Sequence, residues 1–307
     1  MSSRLLVLGW HNVTATPGFP APEGASERGF EKQMRALART ANVLALEDAL
    51  ARLYAGERLP SRAVVITFDD GYRDNLAVAV PVLERLGLPA TFFLVPRLLA
   101  GEIDAWWETL GWAIGCAGER SLQWDGQAFA LETSAARAQC YSQLARAMKR
   151  LDHDAREHAM GTIVEALSPQ EPMPELFMGW EGARELVRRG FSVQSHTRSH
   201  FVLSREPAER QLEELAQARS QLESQLGIAI STVAYPYGGP AEYDAESVAA
   251  AQQAGYRWAL TTREGFTTAQ TPPLEVRRCV VYPERGIVDL LAQLRYLLRT
   301  LIAGGPE

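Results

Sequence analysis

Two histidines stand four residues apart in the segment SHTRSH, residues 195 to 200, of a chain that has only five histidines. On a helix, His196 and His200 would share one face, as the zinc ligands of metalloprotease helices do, but the glutamate that follows the first histidine there is absent. The apolar run FSVQS before the motif indicates a strand that ends at the first histidine. The pattern therefore predicts a loop site in which two imidazoles bind a metal.

A pair of adjacent carboxylates, Asp69 and Asp70, follows another strand-like run in the segment ITFDDGY, residues 66 to 72. Neighbouring side chains leave a strand in opposite directions, so one carboxylate can bind a metal while the other faces a substrate. Two imidazoles, one carboxylate and an open position for water form a typical catalytic zinc site. The structural alternative is that Asp70 or Asp74 only caps the helix that begins near Arg73. The presence of SHTRSH in the same chain favours the metal site.

Strand-like and helical runs alternate along most of the chain. The apolar runs that predict strands are RLLVLGW, AVVITF, PATFFLV, FSVQS, STVAY, RWALTT and LEVRRCVVY. Between them lie runs with apolar residues at helical spacing, several of which end in glycine, as helix C-termini do: GFEKQMRALART, RDNLAVAVPVLERLG (residues 73–87), WEGARELVRRG, residues 207–226 and DAESVAAAQQAG. Repeated strand–helix units form a parallel sheet covered by helices. The sequence therefore predicts an α/β protein with a distorted, closed or nearly closed (β/α) barrel.

In a (β/α) barrel, the side chains that do chemistry lie at the C-terminal ends of the strands. Each candidate residue follows a predicted strand, and the set comprises His11, Asp69, Asp70, His196, His200 and Tyr237. We expect these side chains to meet at one face of the barrel.

The alternation breaks between Gly101 and Pro174. This stretch begins with a tryptophan-rich helix, EIDAWWETLGWAIG, and continues with a hairpin that turns at Asp125-Gly126 and with two further helices. We predict a mainly helical insertion or lid at 101–174, packed beside a barrel formed by 1–100 and 175–307. The alternative is a small separate subdomain.

Two groups of residues in this insertion favour structural roles. Trp106 and Trp112 have nearly helical spacing, which favours core packing over stacking on a ligand ring. His153 and His158 are five residues apart in a charged helical stretch, which is the wrong spacing for one helix face. We expect both histidines to face solvent.

Composition limits the partners and the environment. The formal net charge is -6, so the chain has no basic excess with which to bind a nucleic acid backbone. The N-terminal apolar run is too short for a signal peptide, and no run is long enough to cross a bilayer, so we expect a cytoplasmic protein without a transmembrane segment. The three cysteines are widely spaced, which favours reduced thiols over disulfides or a cysteine metal site. No sequence feature specifies the oligomeric state.

The segments TFDDG, SHTRSH and AYPYG (residues 234 to 238), in this order at predicted strand ends, resemble the first three motifs of the polysaccharide deacetylase family, also called carbohydrate esterase family four. The resemblance covers residues 5–100 and 178–285 and leaves the insertion outside. It implies a barrel enzyme of carbohydrate metabolism, a hydrolase that removes an N-acetyl group from an amino sugar by cleaving the C–N bond of a linear amide.

The resemblance also implies a role for each residue of the first two motifs. Asp69 matches the general base that activates a metal-bound water. Asp70, His196 and His200 match the ligands of one divalent metal ion, which is usually zinc in this family.

The third motif and a late arginine pair supply further candidates. Tyr237 matches the tyrosine whose backbone N–H helps to hold the oxyanion, and Pro236 fixes that loop. We assign Tyr235, Pro236, Arg277 and Arg278 to substrate binding. The two arginines can also steady the general base.

The chain departs from the main family pattern at the general acid. Ala234 stands where most members have an arginine, LEVRRCV has arginines in place of a late histidine, and GYRWALTT lacks the carboxylate of an Asp-Trp pair. His11 in GWHNV is similar to a histidine of a poly-N-acetylglucosamine deacetylase-like branch that serves as the acid. We therefore predict that His11 is the catalytic acid; the alternative is a hydrogen-bonded histidine that only fills the site.

A cytoplasmic location favours a small-molecule, lipid-linked or nucleotide-linked sugar over a finished wall polymer as the substrate. The same metal, base and oxyanion donors would also serve an O-acetyl esterase or a non-sugar amidase. An alternative of another class is a catalytically silent relative that binds saccharide, because the late histidine and the arginine of the third motif are missing.

Overall fold

The computed structural model describes residues 3–14 and 26–281. Their strands form one mainly parallel sheet and a separate two-stranded hairpin. The strands of the main sheet are β1 (Arg4–Trp10), β2 (Asn42–Val43), β3 (Ala63–Phe68), β4 (Thr91–Leu94), β7 (Ser192–Ser195), β8 (Thr232–Ala234), β9 (Trp258–Leu260), β10 (Thr267–Thr268) and β11 (Cys279–Val280); the hairpin consists of β5 (Ser121–Trp124) and β6 (Gln127–Ala130).

The sheet curls until its two edges nearly meet. Its parallel order is β1-β3-β4-β7-β8-β9, and β10 adds an antiparallel strand beside β1. Near the end of the described chain, Val276 bridges to Leu260 of β9, and Cys279 of β11 pairs with Leu8 of β1. This last segment therefore lies between the two edges. The structure confirms the predicted α/β class and the distorted (β/α) barrel.

Most of the helices lie around the sheet, whereas the three within residues 106–167 pack mainly with one another and with the hairpin. The helices are α1 (Glu27–Thr40), α2 (Leu46–Tyr54), α3 (Val80–Leu86), α4 (Pro96–Leu99), α5 (Trp106–Gly115), α6 (Ser134–Met148), α7 (His153–Leu167), α8 (Gly179–Arg188), α9 (Ala208–Leu226) and α10 (Ala245–Gln253). The helix predicted at 73–87 begins as a π-helix, Asn75–Ala79, before α3. Pro81 has no N–H to donate, which favours this irregular winding in the preceding turn. Short 3₁₀ turns lie at Leu203–Arg205 and Pro273–Glu275.

Because side chains alternate between the two faces of each strand, the two sides of the sheet belong to two separate apolar cores. One side of β1, including Leu6 and Leu8, packs against the outer helices. The other side, including Leu5 and Val7, packs with α2 into a second core. Because α2 covers this inner side near the N-terminal ends of the strands, the opposite ends are left for polar side chains.

The segment 106–167 folds around an apolar core of its own, formed by α5, the hairpin, α6 and α7. Asp125 and Gly126 have φ values of 49° and 72°, as a two-residue hairpin turn of type I′ requires. Tyr237, which follows β8, packs against this core. The division of the chain into a barrel and an insertion at 101–174 stays a prediction.

None of the helices within 3–14 and 26–281 is both long enough and apolar enough to span a bilayer. The predicted barrel segment 175–307 continues past Val281, outside the described residues.

Candidate metal centre and active site

The end of β3 directs its two aspartates to different places. Asp69 continues the side of the strand that carries Val65 and Thr67, and it is buried. Asp70 adopts left-handed backbone with φ 72°, and Gly71 follows with φ 82°. The chain therefore turns sharply between the carboxylates, and each leaves the strand in its own direction.

Asp70 meets the two histidines of SHTRSH. Its Oδ1 lies 3.4 Å from Nε2 of His196 and 3.3 Å from Nε2 of His200. The three side chains are buried, and each offers one ligand atom within 4.8 Å of the others. This is the convergence of one carboxylate and two imidazoles that the motifs predict.

The two imidazoles have different neighbours. The Nδ1–H of His196 donates to the carbonyl oxygen of Ala234 at 2.7 Å, which leaves Nε2 to face Asp70. Nδ1 of His200 is buried and has no hydrogen-bond partner among the described residues. The His200 ring instead contacts the rings of Trp107 and Tyr237, at centroid distances of 4.4 and 4.9 Å.

Side chains hold the loop that carries these histidines. Thr197 and His200 have φ values of 60° and 58°, a conformation that is costly for residues with a Cβ. The Thr197 hydroxyl accepts a hydrogen bond from the backbone N–H of His200. The carboxylate of Glu214 on α9 accepts two more from Ser199, from N–H at 2.8 Å and from O–H at 2.9 Å. The strained loop is therefore fixed from several sides.

Arg278 holds Asp69 with two parallel hydrogen bonds. Nη1 and Nη2 each donate to one carboxylate oxygen at 2.7 Å, and the arginine is 1% exposed. A Cβ at Gly9 of β1 would stand 3.1 Å from Cδ of Arg278, so the missing side chain leaves the room that the guanidinium needs. Such a buried, bidentate pair fixes the orientation of the carboxylate.

His11 lies on the other side of Asp69. Its Nε2 is 3.9 Å from Oδ2 of Asp69, and its side chain is 38% exposed, far more than the other members of the cluster. Asn75 donates to the carbonyl oxygen of His11 at 2.8 Å.

Asp74 accepts from the backbone N–H groups of Val13 and Thr14 and does not cap the following helix. The capping alternative for Asp74 is therefore wrong, since this carboxylate anchors the loop after β1.

The charges of the cluster favour ionised carboxylates. Burial by itself would raise the pKa of Asp69, but the charges of Arg278, His196 and His11 outweigh burial, so the pKa is lowered. Burial also opposes ionisation of Asp70, but the neighbouring imidazoles hold its pKa well below the usual range. Because Arg278 balances the charge of Asp69, the charge of Asp70 remains for a cation.

The two imidazoles respond differently to the same burial. Burial lowers the pKa of His200 to about 4, so this ring is neutral near pH 7 with a lone pair for a metal. For His196, burial also favours the neutral ring, but Asp69 and Asp70 outweigh it and raise the pKa. A cation at the ligand atoms would compete with a proton for Nε2 of His196.

The donor set fits a divalent cation. The Oδ1 atom of Asp70 is buried and has no hydrogen-bond partner in the described part of the chain, although it faces two imidazole nitrogens. Buried polar atoms without a partner are costly, and a shared cation would satisfy all three ligand atoms at once. Two nitrogens and one oxygen from the protein, with a further position open, is a typical composition for a catalytic metal site.

Two predicted substrate-binding residues, Tyr235 and Arg277, lie outside this cluster. Tyr235 is fully buried and stacks on Tyr243 at 4.9 Å, on the side of β8 that packs with Val233 against the helices. Arg277 is exposed and donates to the backbone carbonyl of Glu264. Strand alternation explains both positions. Neighbouring side chains point to opposite sides of the sheet, and in each case it is a neighbouring residue whose side chain points inward.

The third-motif loop runs along the edge of the site. Pro236 is buried at its start, and its carbonyl oxygen accepts from the N–H of Gly238. Tyr237 has φ 61°, and its carbonyl oxygen accepts from the hydroxyl of Thr262 at 2.6 Å. The side chain of Tyr237 contacts His200, so the structure places this predicted residue at the cluster.

Sequence reasoning missed the aromatic wall that α5 contributes to the site. Trp107 contacts the His200 ring, and its Nε1–H donates to the hydroxyl of Tyr72 at 2.8 Å. That hydroxyl donates to Glu108 at 2.7 Å. The tryptophans at the start of α5 were the available signal, but the helical spacing of Trp106 and Trp112 favoured core packing. Glu214 gave no signal, since it lies within a charged helical run.

Comparison with known proteins identifies the family. A family model described as polysaccharide deacetylase matches residues 56–113 and 124–259. The chain belongs to the polysaccharide deacetylase family. It is 22% identical over 282 residues to the Bacillus subtilis (strain 168) protein named "Putative polysaccharide deacetylase YxkH", a match that spans 92% of this chain and 72% of that protein.

Solved structures resemble the fold over nearly its whole length. The Streptococcus pyogenes deacetylase PplD, solved in complex with acetate, superimposes with a TM-score of 0.63 at 18% identity, covering 94% of this chain and 97% of PplD. IcaB from Ammonifex degensii gives a TM-score of 0.61 at 20% identity, covering 97% of each chain. These structures share the (β/α) barrel with this chain.

Proposed function

We propose that this protein is a metal-dependent deacetylase that hydrolyses the acetamido group of an amino sugar or of a sugar-containing intermediate. The observation that carries the proposal is the convergence of Asp70, His196 and His200, with their ligand atoms within 4.8 Å of one another, beside a second carboxylate held by Arg278. Membership of a deacetylase family supports the reaction class.

In this proposal, Asp70, His196 and His200 hold one divalent cation, and zinc suits their two nitrogens and one oxygen. When bound, such a cation lowers the pKa of a coordinated water to about 7 and polarises the acyl oxygen. The protein contributes the orientation of its ligands: Ala234 fixes the ring of His196, and the Thr197 hydroxyl fixes the backbone of His200.

Asp69 accepts the proton of the attacking water as the general base. Its Oδ2 lies 3.9 Å from Nε2 of His196 and 3.9 Å from Nε2 of His11, so it stands between the ligand set and the exposed histidine. Arg278 keeps this carboxylate ionised and prevents it from rotating. A base that is fixed and ionised before the substrate arrives needs no reorganisation during the reaction.

His11 donates a proton to the departing amine as the general acid. Its partial exposure allows exchange of protons with solvent, and Asn75 holds the backbone that carries it. The backbone N–H of Tyr237 is the proposed donor to the oxyanion, in a loop fixed by Thr262.

Acetate release, measured with metal content, tests the proposal. Acetylated amino sugars, free and in lipid-linked or nucleotide-linked form, are incubated with the zinc-loaded protein. We expect Asp69→Asn to abolish acetate release and to retain one zinc ion, whereas His196→Ala loses both, because only the latter removes a ligand. His158→Gln, on the exposed surface of α7, is the control and keeps both properties.

Two results would contradict this assignment. Turnover retained in Asp69→Asn removes the aspartate from the role of base. Zinc binding by the wild type without acetate release from any amide or ester identifies a silent binding protein instead of an enzyme.

A further inference from the structure

The two histidine ligands of the proposed site differ in what fixes their rings. His196 has a hydrogen bond from Nδ1 to Ala234, the usual way in which a metal ligand is oriented. His200 lacks this bond, since its buried Nδ1 has no partner in the described part of the chain. Another contact must therefore set the plane of the His200 ring.

That contact comes from the insertion. The Trp107 ring lies 4.4 Å from the His200 ring, with an angle of 45° between the planes. Tyr237 meets the His200 ring nearly edge to face, at 4.9 Å and 74°. An imidazole between two aromatic rings cannot turn about its Cβ–Cγ bond without displacing one of them.

Trp107 is itself held from the barrel. Its Nε1–H donates to the hydroxyl of Tyr72, and that hydroxyl donates to the carboxylate of Glu108. Tyr72 and Glu108 are 4% and 5% exposed, so water does not compete strongly for these bonds. Tyr72 comes two residues after Asp70, so one buried network touches both loops that carry ligands.

We infer that Trp107 is a positioning residue of the metal site, which orients His200 by ring contact and is held for this task by Tyr72 and Glu108. The inference rests on the proposed metal site. Under this inference, α5 is part of the structure that holds the metal ligands in place, and it is not a separate cover over the site.

Cobalt binding by the full chain tests this role without reference to any substrate. Metal-free protein is titrated with Co²⁺, and visible absorption reports both the affinity and the ligand geometry. We expect Trp107→Leu, which keeps an apolar side chain and loses the ring, to weaken Co²⁺ binding about 10-fold to 100-fold and to change the absorption spectrum. Trp107→Phe keeps a ring beside His200 and is expected to restore most of the affinity.

Trp112→Leu is the matched control. Trp112 lies on the same helix and contributes to the same apolar core, but its Nε1–H donates to the backbone carbonyl of Glu171, away from the ligands. We expect this variant to bind Co²⁺ like the wild type. Equal weakening in both leucine variants would assign the loss to general destabilisation of the insertion and overturn the inference.

The remaining outcomes are equally decisive. Wild-type affinity and spectrum in a folded Trp107→Leu protein overturn the role of Trp107 and leave the metal site intact. If Trp107→Leu does not fold, Tyr72→Phe decides, because it removes one hydroxyl oxygen: we expect weaker Co²⁺ binding, and unchanged binding overturns the inference. A wild type that binds no Co²⁺ overturns the metal site and this inference together.

Discussion

Two sides of the candidate site are fixed by different forces. On the barrel side, hydrogen bonds set the side chains: Arg278 donates to both oxygens of Asp69, and His196 donates to Ala234. On the side that faces the predicted insertion, ring contacts set His200: Trp107 comes from α5, and Tyr237 comes from the loop after β8. The barrel side thus depends on single polar atoms, whereas the insertion side depends on the shape of aromatic side chains.

This difference indicates how each side should respond to change. Loss of one partner in a buried, charged pair leaves the other uncompensated, which is costly and alters its pKa. Loss of an aromatic neighbour leaves a cavity and a ring that can turn, with smaller electrostatic consequences. Substitutions on the barrel side should therefore affect catalysis and its pH dependence most strongly.

The largest expected effect on the barrel side concerns His11. We expect His11→Gln to lower kcat by about 10²-fold or more, because general acid catalysis by one side chain contributes about that much. Metal affinity should stay at the wild-type value, since His11 is not a member of the ligand set. Single-turnover kinetics and zinc titration measure both. If His11→Gln has the same rate as the wild type across the neutral pH range, the role of His11 is purely structural.

A smaller loss, about 10-fold to 100-fold, is expected for Arg278→Met, because a fixed charge partner is removed while Asp69 remains. Burial of Asp69 is then no longer opposed by the guanidinium, so the pKa of Asp69 rises. A base works only when it is ionised, so activity is lost at a higher pH on the acid side of the profile than in the wild type. The pH dependence of kcat/KM measures this displacement.

Arg277→Met is the control for this experiment. Arg277 is the exposed neighbour that bonds to Glu264, outside the site. Its removal should leave both the rate and the profile unchanged. If Arg277→Met and Arg278→Met were to move the acid side of the profile equally, the effect would come from net charge and not from the pair with Asp69.

The smallest effect concerns stability on the insertion side. His153 packs against Phe201, and burial, with nearby Arg156 and Arg210, lowers its pKa from 6.5 to about 4. Between these values the unfolded chain binds a proton and the folded chain does not, so stability falls as pH falls from about 6.5 to about 4. We expect the fall in unfolding free energy over this pH range to be smaller by about 1 kcal/mol in His153→Gln than in the wild type. The difference is modest because the ring is only partly buried.

Urea unfolding at a series of pH values measures this slope. His158→Gln is the matched control, since His158 lies on the same helix and is exposed. A wild-type slope in His153→Gln would contradict the assignment. The expectation that both histidines face solvent is wrong for His153, because charged neighbours in sequence do not reveal that Phe201 of the barrel covers one face of its ring.

Much of the site could be predicted from the sequence because it consists of short motifs at strand ends. Asp70, His196 and His200 converge as their spacing after β3 and β7 indicates. The strand-end rule needs only the order of the elements, and apolar runs give that order reliably. The helix α2 was missed although Leu46, Ala49, Leu50 and Leu53 have helical spacing, so its absence from the prediction was avoidable.

Other features depend on three-dimensional position. Either Arg277 or Arg278 could have reached Asp69, and only the register of the last segment against β1 and β9 shows that Arg278 shares the inward side with Val276. The room at Gly9 depends on the same register. The contact between Trp107 of α5 and His200 of the loop after β7 joins residues that are far apart in the sequence, and no local pattern encodes how these two segments meet.

Left-handed backbone occurs at seven described residues other than glycine, and four of them are Asp70, Thr197, His200 and Tyr237. Glycine would adopt these dihedral angles without steric cost, but it would remove a carboxylate, a hydroxyl, an imidazole or an aromatic wall. Laboratory selection for heat resistance alone would therefore favour replacements that remove side chains of the proposed site. Any selection that raises the thermal stability of this barrel must also measure turnover at every round.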